Sequence, residues 1–139
     1  MRDVQAEIVA IADACLGGLR GRSALLIGPG RVRRPYKALL QEAGIKVVLQ
    51  EDDYTRVATL LPQVQLLLNM PEQRAPSMLT ADKVAVGCVG RHTPLLIFDL
   101  ASRTSVEELA GLLPAVCLYT PADLCQVLHT DNCDALMLE

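Results

Sequence analysis

Apolar residues recur along this chain in two alternating patterns, one typical of helices and one typical of buried strands. Spacings of three and four residues predict an amphipathic helix over residues 3–18, which Gly17-Gly18 ends. A short continuous run of aliphatic residues follows at 24–27 and is typical of a strand buried on both faces. Similar runs at 46–50, 65–68, 94–98 and 115–119 predict four more strands.

Helices are predicted between these strands from capping residues and helical spacing. The helix after the first strand is expected to end at Gly44, since glycine suits the position just past a helix. Other helices are expected to start where a side chain can accept a hydrogen bond from the first turn. The predicted capping residues are Asp53, Thr80, Ser105 with its capping-box partner Glu108, and Thr120.

This alternation predicts an α/β fold of the Rossmann-like kind. Strand and helix in regular succession imply right-handed crossovers and an open parallel sheet of about five strands with helices on both faces. The length of 139 residues fits a single domain over residues 1–139. With 51% hydrophobic residues but only 3% aromatic ones, aliphatic side chains must build the interior, as such a sheet requires.

Charge and cysteine content narrow the function classes. A formal net charge of −3 gives no general attraction to nucleic acid or to anionic membranes. An odd number of cysteines without a CxxC pair argues against a disulfide framework and a zinc site, and favours a reducing compartment. No apolar run approaches the ~20 residues of a membrane helix, and charges near the N-terminus argue against a signal peptide. We therefore expect a cytoplasmic protein without a metal site. The cysteines are Cys15, Cys88, Cys117, Cys125 and Cys133.

The turn after the first strand carries part of a dinucleotide-binding motif. Ligands of open parallel sheets bind beyond the carboxyl ends of the strands, where the strand order reverses. Gly28 and Gly30 stand at the first two glycine positions of GxGxxG, and Arg33 replaces the third. Because Pro35 fits best in a first helical turn, we expect the helix to begin late and the loop to be long. The candidate phosphate loop comprises Gly28, Pro29, Gly30, Arg31, Val32 and Arg33.

Acidic and basic residues flank this loop, and each group has two interpretations. Glu51, Asp52 and Asp53 follow the second strand about 20 residues on, where a carboxylate would accept hydrogen bonds from an adenosine ribose. Alternatively, the glycines only form a turn and the acids only cap a helix. The basic residues oppose the helix dipole, so either an anion offsets them or they form a solvated face. They are Arg31, Arg33, Arg34 and Lys37.

Other polar candidates are weaker. Asp99 ends the fourth predicted strand, so it could face the ligand crevice or orient the following loop by accepting backbone hydrogen bonds. His92 and His129 are single, which favours surface or structural roles over a ligand or base. No catalytic residue is assigned.

Five stretches of sequence, in order, resemble one enzyme family. They are LRGRSALLIGPG at 19–30, MLT at 78–80, PLLIFDLASR at 94–103, VCLY at 116–119 and ADL at 122–124. Together they resemble the middle, NADPH-binding domain of glutamyl-tRNA reductase, an enzyme of tetrapyrrole synthesis. The resemblance implies that a catalytic domain with a nucleophilic cysteine and a dimerisation domain are partners missing from this chain. None of the five cysteines is therefore given the catalytic role.

Two departures from the family bear on the cofactor. Asp52 stands where the family has the basic residue that meets the NADPH 2′-phosphate, so NAD(H) is expected over NADP(H). Asn69 and Met70 replace a turn of small residues and are expected to give bulkier lining to the nicotinamide path.

Three functions follow as alternatives. The favoured one is a cofactor domain of a glutamyl-tRNA reductase that binds NAD or NADP. The second is a degenerate stand-alone paralogue that binds a protein partner or regulates tetrapyrrole synthesis without turnover. The third, a complete small dehydrogenase, is least favoured because 139 residues leave little beyond a cofactor module. Without flanking domains, apolar surface would be exposed, and a homodimer is one expected consequence.

Overall fold

The computed structural model describes residues 3–71 and 78–129. Within these residues strands and helices alternate as the apolar patterns predict, except that a 3-10 segment stands in place of the helix predicted between the fourth and fifth strands. The helices are α1 (Val4–Leu16), α2 (Gly30–Glu42), α3 (Val57–Leu60), α4 (Ala81–Gly87) and α5 (Pro121–Val127). The strands are β1 (Ser23–Ile27), β2 (Val47–Glu51), β3 (Leu66–Asn69), β4 (Leu95–Asp99) and β5 (Val116–Tyr119). Two 3-10 segments, Leu61–Gln63 and Glu108–Leu112, precede β3 and β5.

The five strands form one parallel sheet in the order β2-β1-β3-β4-β5. From β1 the chain moves outward to β2 and then returns past β1 to β3. The strand order therefore reverses between β1 and β3. There Ile27, the last residue of β1, is flanked by Glu51 of β2 and Asn69 of β3. This is the position at which open α/β sheets bind ligands.

Helices cover both faces of the sheet, which confirms the predicted fold class. Alternate strand residues enter two separate cores, because successive side chains of a strand point to opposite faces. Leu26, Leu68 and Phe98 pack with α1, α2 and α5 on one face. Leu25, Leu67 and Ile97 pack with α3, α4 and the segment at Glu108–Leu112 on the other. All six strand residues are at most 2% exposed, as expected for strands buried on both sides.

Two of the predicted helix caps are confirmed. The Thr80 hydroxyl accepts a hydrogen bond from the Lys83 backbone N–H at the start of α4. Thr120 and Asp123 form a reciprocal capping box at the start of α5, where Pro121 occupies the first turn. Such caps satisfy N–H groups that have no partner inside the helix.

Two other predicted caps are wrong. Asp53 accepts a hydrogen bond from the Thr55 backbone N–H at 2.9 Å, a local turn that competes with capping, and α3 begins only at Val57. Ser105 is buried and its hydroxyl lies 2.9 Å from the Tyr54 hydroxyl. The following 3-10 segment begins at Glu108 instead. In each case the predicted capping side chain forms a hydrogen bond with another residue and does not cap the helix.

The expected late start of α2 is also wrong. The helix begins at Gly30, with Pro29 as its N-cap residue, so Pro35 lies inside it. A proline there removes one helical hydrogen bond and crowds the preceding turn. The same helix buries Val32, Tyr36 and Leu40 against the sheet. This burial holds the helix together across Pro35, and the turn after β1 stays short.

The described helices are all short. None within residues 3–71 and 78–129 is long and apolar enough to cross a membrane. Among the described residues no disulfide joins Cys15, Cys88, Cys117 or Cys125, and Cys133 lies outside those residues.

Candidate functional site

The turn after β1 depends on the close approach of two backbones. Gly28 has φ +145°, a conformation that side-chain-bearing residues rarely adopt. A Cβ on Gly28 would lie 2.0 Å from the carbonyl oxygen of Met70. Gly28 donates its N–H to the Glu51 carbonyl at 3.0 Å, and Met70 donates its N–H to the Ile27 carbonyl at 2.7 Å. The turn is thereby tied to the ends of both neighbouring strands.

The N-terminus of α2 opens at this turn. Pro29 occupies the N-cap position and provides no side-chain hydrogen bond to the first turn. Gly30, the first helical residue, is exposed. The helix dipole places partial positive charge at this end, and no acidic residue lies in the first turn. This geometry suits an anion such as a phosphate.

Arg33 reaches from the first turns of α2 toward the end of β2. Its Nη2 lies 3.3 Å from Oδ1 of Asp52. The Arg33 side chain is 17% exposed and that of Asp52 is 84% exposed. Arg33 stands at the third glycine position of the motif, and its side chain fills space that a glycine would leave open.

The other acids after β2 are engaged as well. Oε2 of Glu51 lies 3.4 Å from Nη1 of Arg56, and the Glu51 side chain is mostly buried. Asp53 is exposed, and the hydrogen bond from the Thr55 backbone lowers the pKa of its carboxyl. Of the three predicted acids, Glu51 and Asp52 lie beside the glycine turn and each is paired with an arginine.

The basic residues on α2 do not act as one group. Arg33 is largely buried, whereas Arg31 and Arg34 are exposed and Lys37 is half-buried. A solvated face therefore describes Arg31 and Arg34, while Arg33 belongs to the site.

Three predicted site residues have buried side chains. Val32 and Met70 are 2% and 0% exposed and pack in the core beneath α1 and α2. Asn69 is also fully buried, and its amide nitrogen lies 3.5 Å from Oδ1 of Asp99. The side chains of Asn69 and Met70 thus face the protein interior, and Met70 meets the turn through its backbone and its Cβ.

Asp99 orients the loop that follows β4, which is one of its two predicted roles. The buried carboxylate accepts hydrogen bonds from the backbone N–H groups of Ser105 at 2.7 Å, Val106 at 2.8 Å and Ala101 at 3.4 Å. Burial raises the pKa of Asp99, and these hydrogen bonds oppose the rise. The Asp99 carboxylate therefore holds the loop that follows β4.

A buried polar cluster beside Asp99 was missed by the sequence analysis. Tyr54 is 7% exposed, and its hydroxyl bonds to Ser105, which sits 51 residues further along the chain. Burial raises the pKa of Tyr54. Neither residue lies in a strand or helix, so no periodic pattern could have paired them.

The remaining candidates lie at the surface. His92 and His129 are exposed, in agreement with the surface role predicted for them. The thiol of Cys15 lies 3.5 Å from the Tyr119 hydroxyl, and this contact is the main cause that raises the pKa of Tyr119 to about 12.

Comparison with known proteins gives a consistent result. No family model matches the chain. It is 24% identical over 135 residues to glutamyl-tRNA reductase from Methanocella arvoryzae, and 28% identical over 138 residues to glutamyl-tRNA reductase from Alkalilimnicola ehrlichii. Each match covers 86% of this chain but 31% of the enzyme. The chain therefore spans about a third of the length of these relatives.

Solved structures show the same fold. Glutamyl-tRNA reductase from Methanopyrus kandleri matches with a TM-score of 0.77 at 21% identity, over 96% of this chain and 38% of that one. The methylenetetrahydrofolate dehydrogenase-cyclohydrolase of Trypanosoma brucei, complexed with NADP and an inhibitor, matches with a TM-score of 0.65 at 13% identity, over 99% of this chain and 48% of that one. The resemblance inferred from the sequence motifs is thus confirmed: this chain is similar to a portion of glutamyl-tRNA reductase.

Proposed function

We propose that this chain is the nucleotide-cofactor domain of a glutamyl-tRNA reductase-like protein. A dinucleotide would lie across the turn between β1 and α2, with its pyrophosphate at the N-terminus of α2. The observation that carries this proposal is the Gly28 turn, which packs on the Met70 carbonyl and directs an uncapped helix end to the point where strand order reverses.

The role of the bound dinucleotide is to supply hydride for reduction of glutamyl-tRNA to glutamate-1-semialdehyde, in tetrapyrrole synthesis. The chain's own contribution is to hold the phosphates by the backbone around Gly28 and Gly30. Substrate and nucleophile would come from a catalytic domain, since the chain matches about a third of its relatives. Exposed Val89 and Leu112 are consistent with contact to another domain or a second copy.

One observation favours a second function, a degenerate domain that binds a protein partner without a cofactor. Arg33 fills the third glycine position and pairs with Asp52, while Glu51 pairs with Arg56. Both acids suited to a ribose are therefore engaged. A ribose bound to either acid would share that carboxylate with an arginine, whereas a domain that only binds protein needs neither acid for a ligand.

Calorimetric titration with NADH and NADPH tests the first function against the second. Gly30→Asp is the variant designed to block pyrophosphate binding without disturbing the fold. A Cβ on Gly30 would meet only Nη2 of Arg33, at 3.5 Å, so the fold tolerates a side chain there. An acid also suits the first turn of a helix, but its carboxylate would repel the pyrophosphate. Binding by the wild type that Gly30→Asp abolishes, without loss of stability, supports the proposal. No binding of either dinucleotide at millimolar concentration favours the partner-binding domain.

A further inference from the structure

Arg33 presents a guanidinium group that is mostly buried and only partly hydrogen-bonded. Nη2 contacts Asp52 at 3.3 Å. Within the described residues, the buried Nε has no hydrogen-bond partner. The Nε and Nη2 donors lie along one edge of the planar group and match two oxygens of a phosphate. Asp52 uses only half of this edge.

The contact with Asp52 is easily exchanged. The Asp52 side chain is 84% exposed, and ion pairs with exposed partners are held weakly in water. Asp52 can turn into solvent without burying its charge. Arg33, at 17% exposure, cannot bring its Nε to bulk water as readily. An anion that placed one oxygen on Nε and another on Nη2 would satisfy this guanidinium better than Asp52 does.

Arg33 also lies beside the open end of α2. A Cβ on Gly30 would be 3.5 Å from Nη2 of Arg33, so the guanidinium stands next to the exposed first residue of the helix. Pro29 adds no side-chain cap there. The positive end of the helix and the arginine therefore face the same place, where the strand order reverses.

We propose that Arg33 binds a phosphate group of the nucleotide through its Nε–Nη2 edge and releases Asp52 as the nucleotide binds. This inference deepens the proposed function and rests on it. It also changes the basis of cofactor choice. The sequence-based preference for NAD(H) considered Asp52 alone, whereas Arg33 lies beside Asp52 in the structure and adds a positive charge to the same site. Arg33 then sets the strength of phosphate binding, and Asp52 competes with the ligand for it.

Nitrogen-edited NMR of the whole chain tests this contact, because the Arg33 Nε–H gives its own resonance, assigned by its absence in Arg33→Gln. The probes are inorganic pyrophosphate, AMP, and 2′,5′-ADP. Arg34→Gln is the matched control, since Arg34 is an exposed arginine of the same helix. We expect the Arg33 resonance to shift with a phosphate probe. Arg33→Gln should weaken that binding about 10- to 100-fold, Arg34→Gln should change it little, and Asp52→Asn should tighten it.

Each outcome has a distinct meaning. A response to pyrophosphate identifies the phosphate at the helix end, and a response confined to 2′,5′-ADP identifies the 2′-phosphate; either supports the inference. A silent Arg33 resonance, or tighter binding by Arg33→Gln, overturns it and shows that Arg33 only obstructs the site. If NADH or NADPH still shifts the amides of Gly28 and Gly30 in that case, the proposed function survives without the inference. If no dinucleotide shifts them, the proposed function fails by itself.

Discussion

The carbonyl oxygen of Met70 lies so close to Gly28 that a Cβ on this glycine would stand 2.0 Å from it. Because Met70 follows β3 and Gly28 follows β1, this contact joins the two strands at the point where the strand order reverses. The same contact leaves the turn too tight for a side chain and places the N-terminus of α2 at the carboxyl edge of the sheet.

Gly28→Ala is expected to destabilise the fold severely. The new methyl group would collide with backbone rather than with a movable side chain, and φ of +145° adds strain. Together these should lower the free energy of unfolding by about 4 kcal/mol. Urea unfolding of the variant measures the loss. Gly18→Ala is the matched control, because Gly18 also has positive φ (+114°) but nothing lies within 4 Å of its Cβ position. Equal losses in the two variants would contradict the collision.

Asp99→Asn is expected to lower stability at neutral pH, although the side chains have the same shape. Asp99 accepts backbone hydrogen bonds with both carboxylate oxygens, from Ala101 on one and from Ser105 and Val106 on the other. An amide offers one acceptor oxygen, so its NH2 group must face a donor. The expected loss is about 3 kcal/mol in the free energy of unfolding. Asp53→Asn, at an exposed turn, should change it little by comparison.

The pH dependence of Asp99 gives a separate prediction. Burial raises its pKa in the folded state, so the folded protein keeps this proton to higher pH than the unfolded chain does. The resulting stability is complete below the ordinary pKa of 3.8 and is lost as the pH rises through the folded-state pKa. Asp99→Asn removes this titration. The stability gap between wild type and variant should therefore be wider near pH 4 than at pH 7, and a constant gap would show that the pKa is not raised.

The tyrosines should resist ionisation in the folded protein. Burial is the main cause that raises the pKa of Tyr36 and Tyr54, and the contact with Cys15 raises that of Tyr119 to about 12. Phenolate absorbance should thus stay low as the pH passes 10, the ordinary value, and appear fully in urea. Since the folded state holds these protons longer, stability should fall as the pH rises above 10. A tyrosine that titrates near pH 10 in the folded protein would contradict these environments.

Strands and helix starts that depend on neighbouring residues could be predicted from the sequence. The aliphatic runs were clearest for β1, β3 and β4, which are buried on both faces, whereas β2 and β5 are partly exposed. Thr80 and Thr120 marked helix starts because their partners lie three residues away. Contacts between residues far apart in the sequence could not be predicted. Ser105 bonds to Tyr54 and Asp99 instead of capping a helix, and Pro35 stays within α2 because Tyr36 and Leu40 are buried.

The candidate site likewise has features that the sequence predicts and features that depend on tertiary packing. Gly28 and Gly30 were identified from a local motif whose spacing reflects a tight turn. The pairing of Arg33 with Asp52 depends on how α2 lies against β2, which no spacing in the sequence reveals. Asn69 ends β3 and Met70 follows it, and the burial of both side chains depends on tertiary packing, which the sequence does not reveal.

Backbone amide shifts during titration of the labelled chain with NADPH and NADH show whether a dinucleotide lies across the turn between β1 and α2. We predict saturable shifts at Gly28, Gly30 and Arg31, which Gly30→Asp abolishes while the rest of the spectrum stays folded. Shifts confined to other parts of the chain, or none at millimolar dinucleotide, would contradict a cofactor site at this turn.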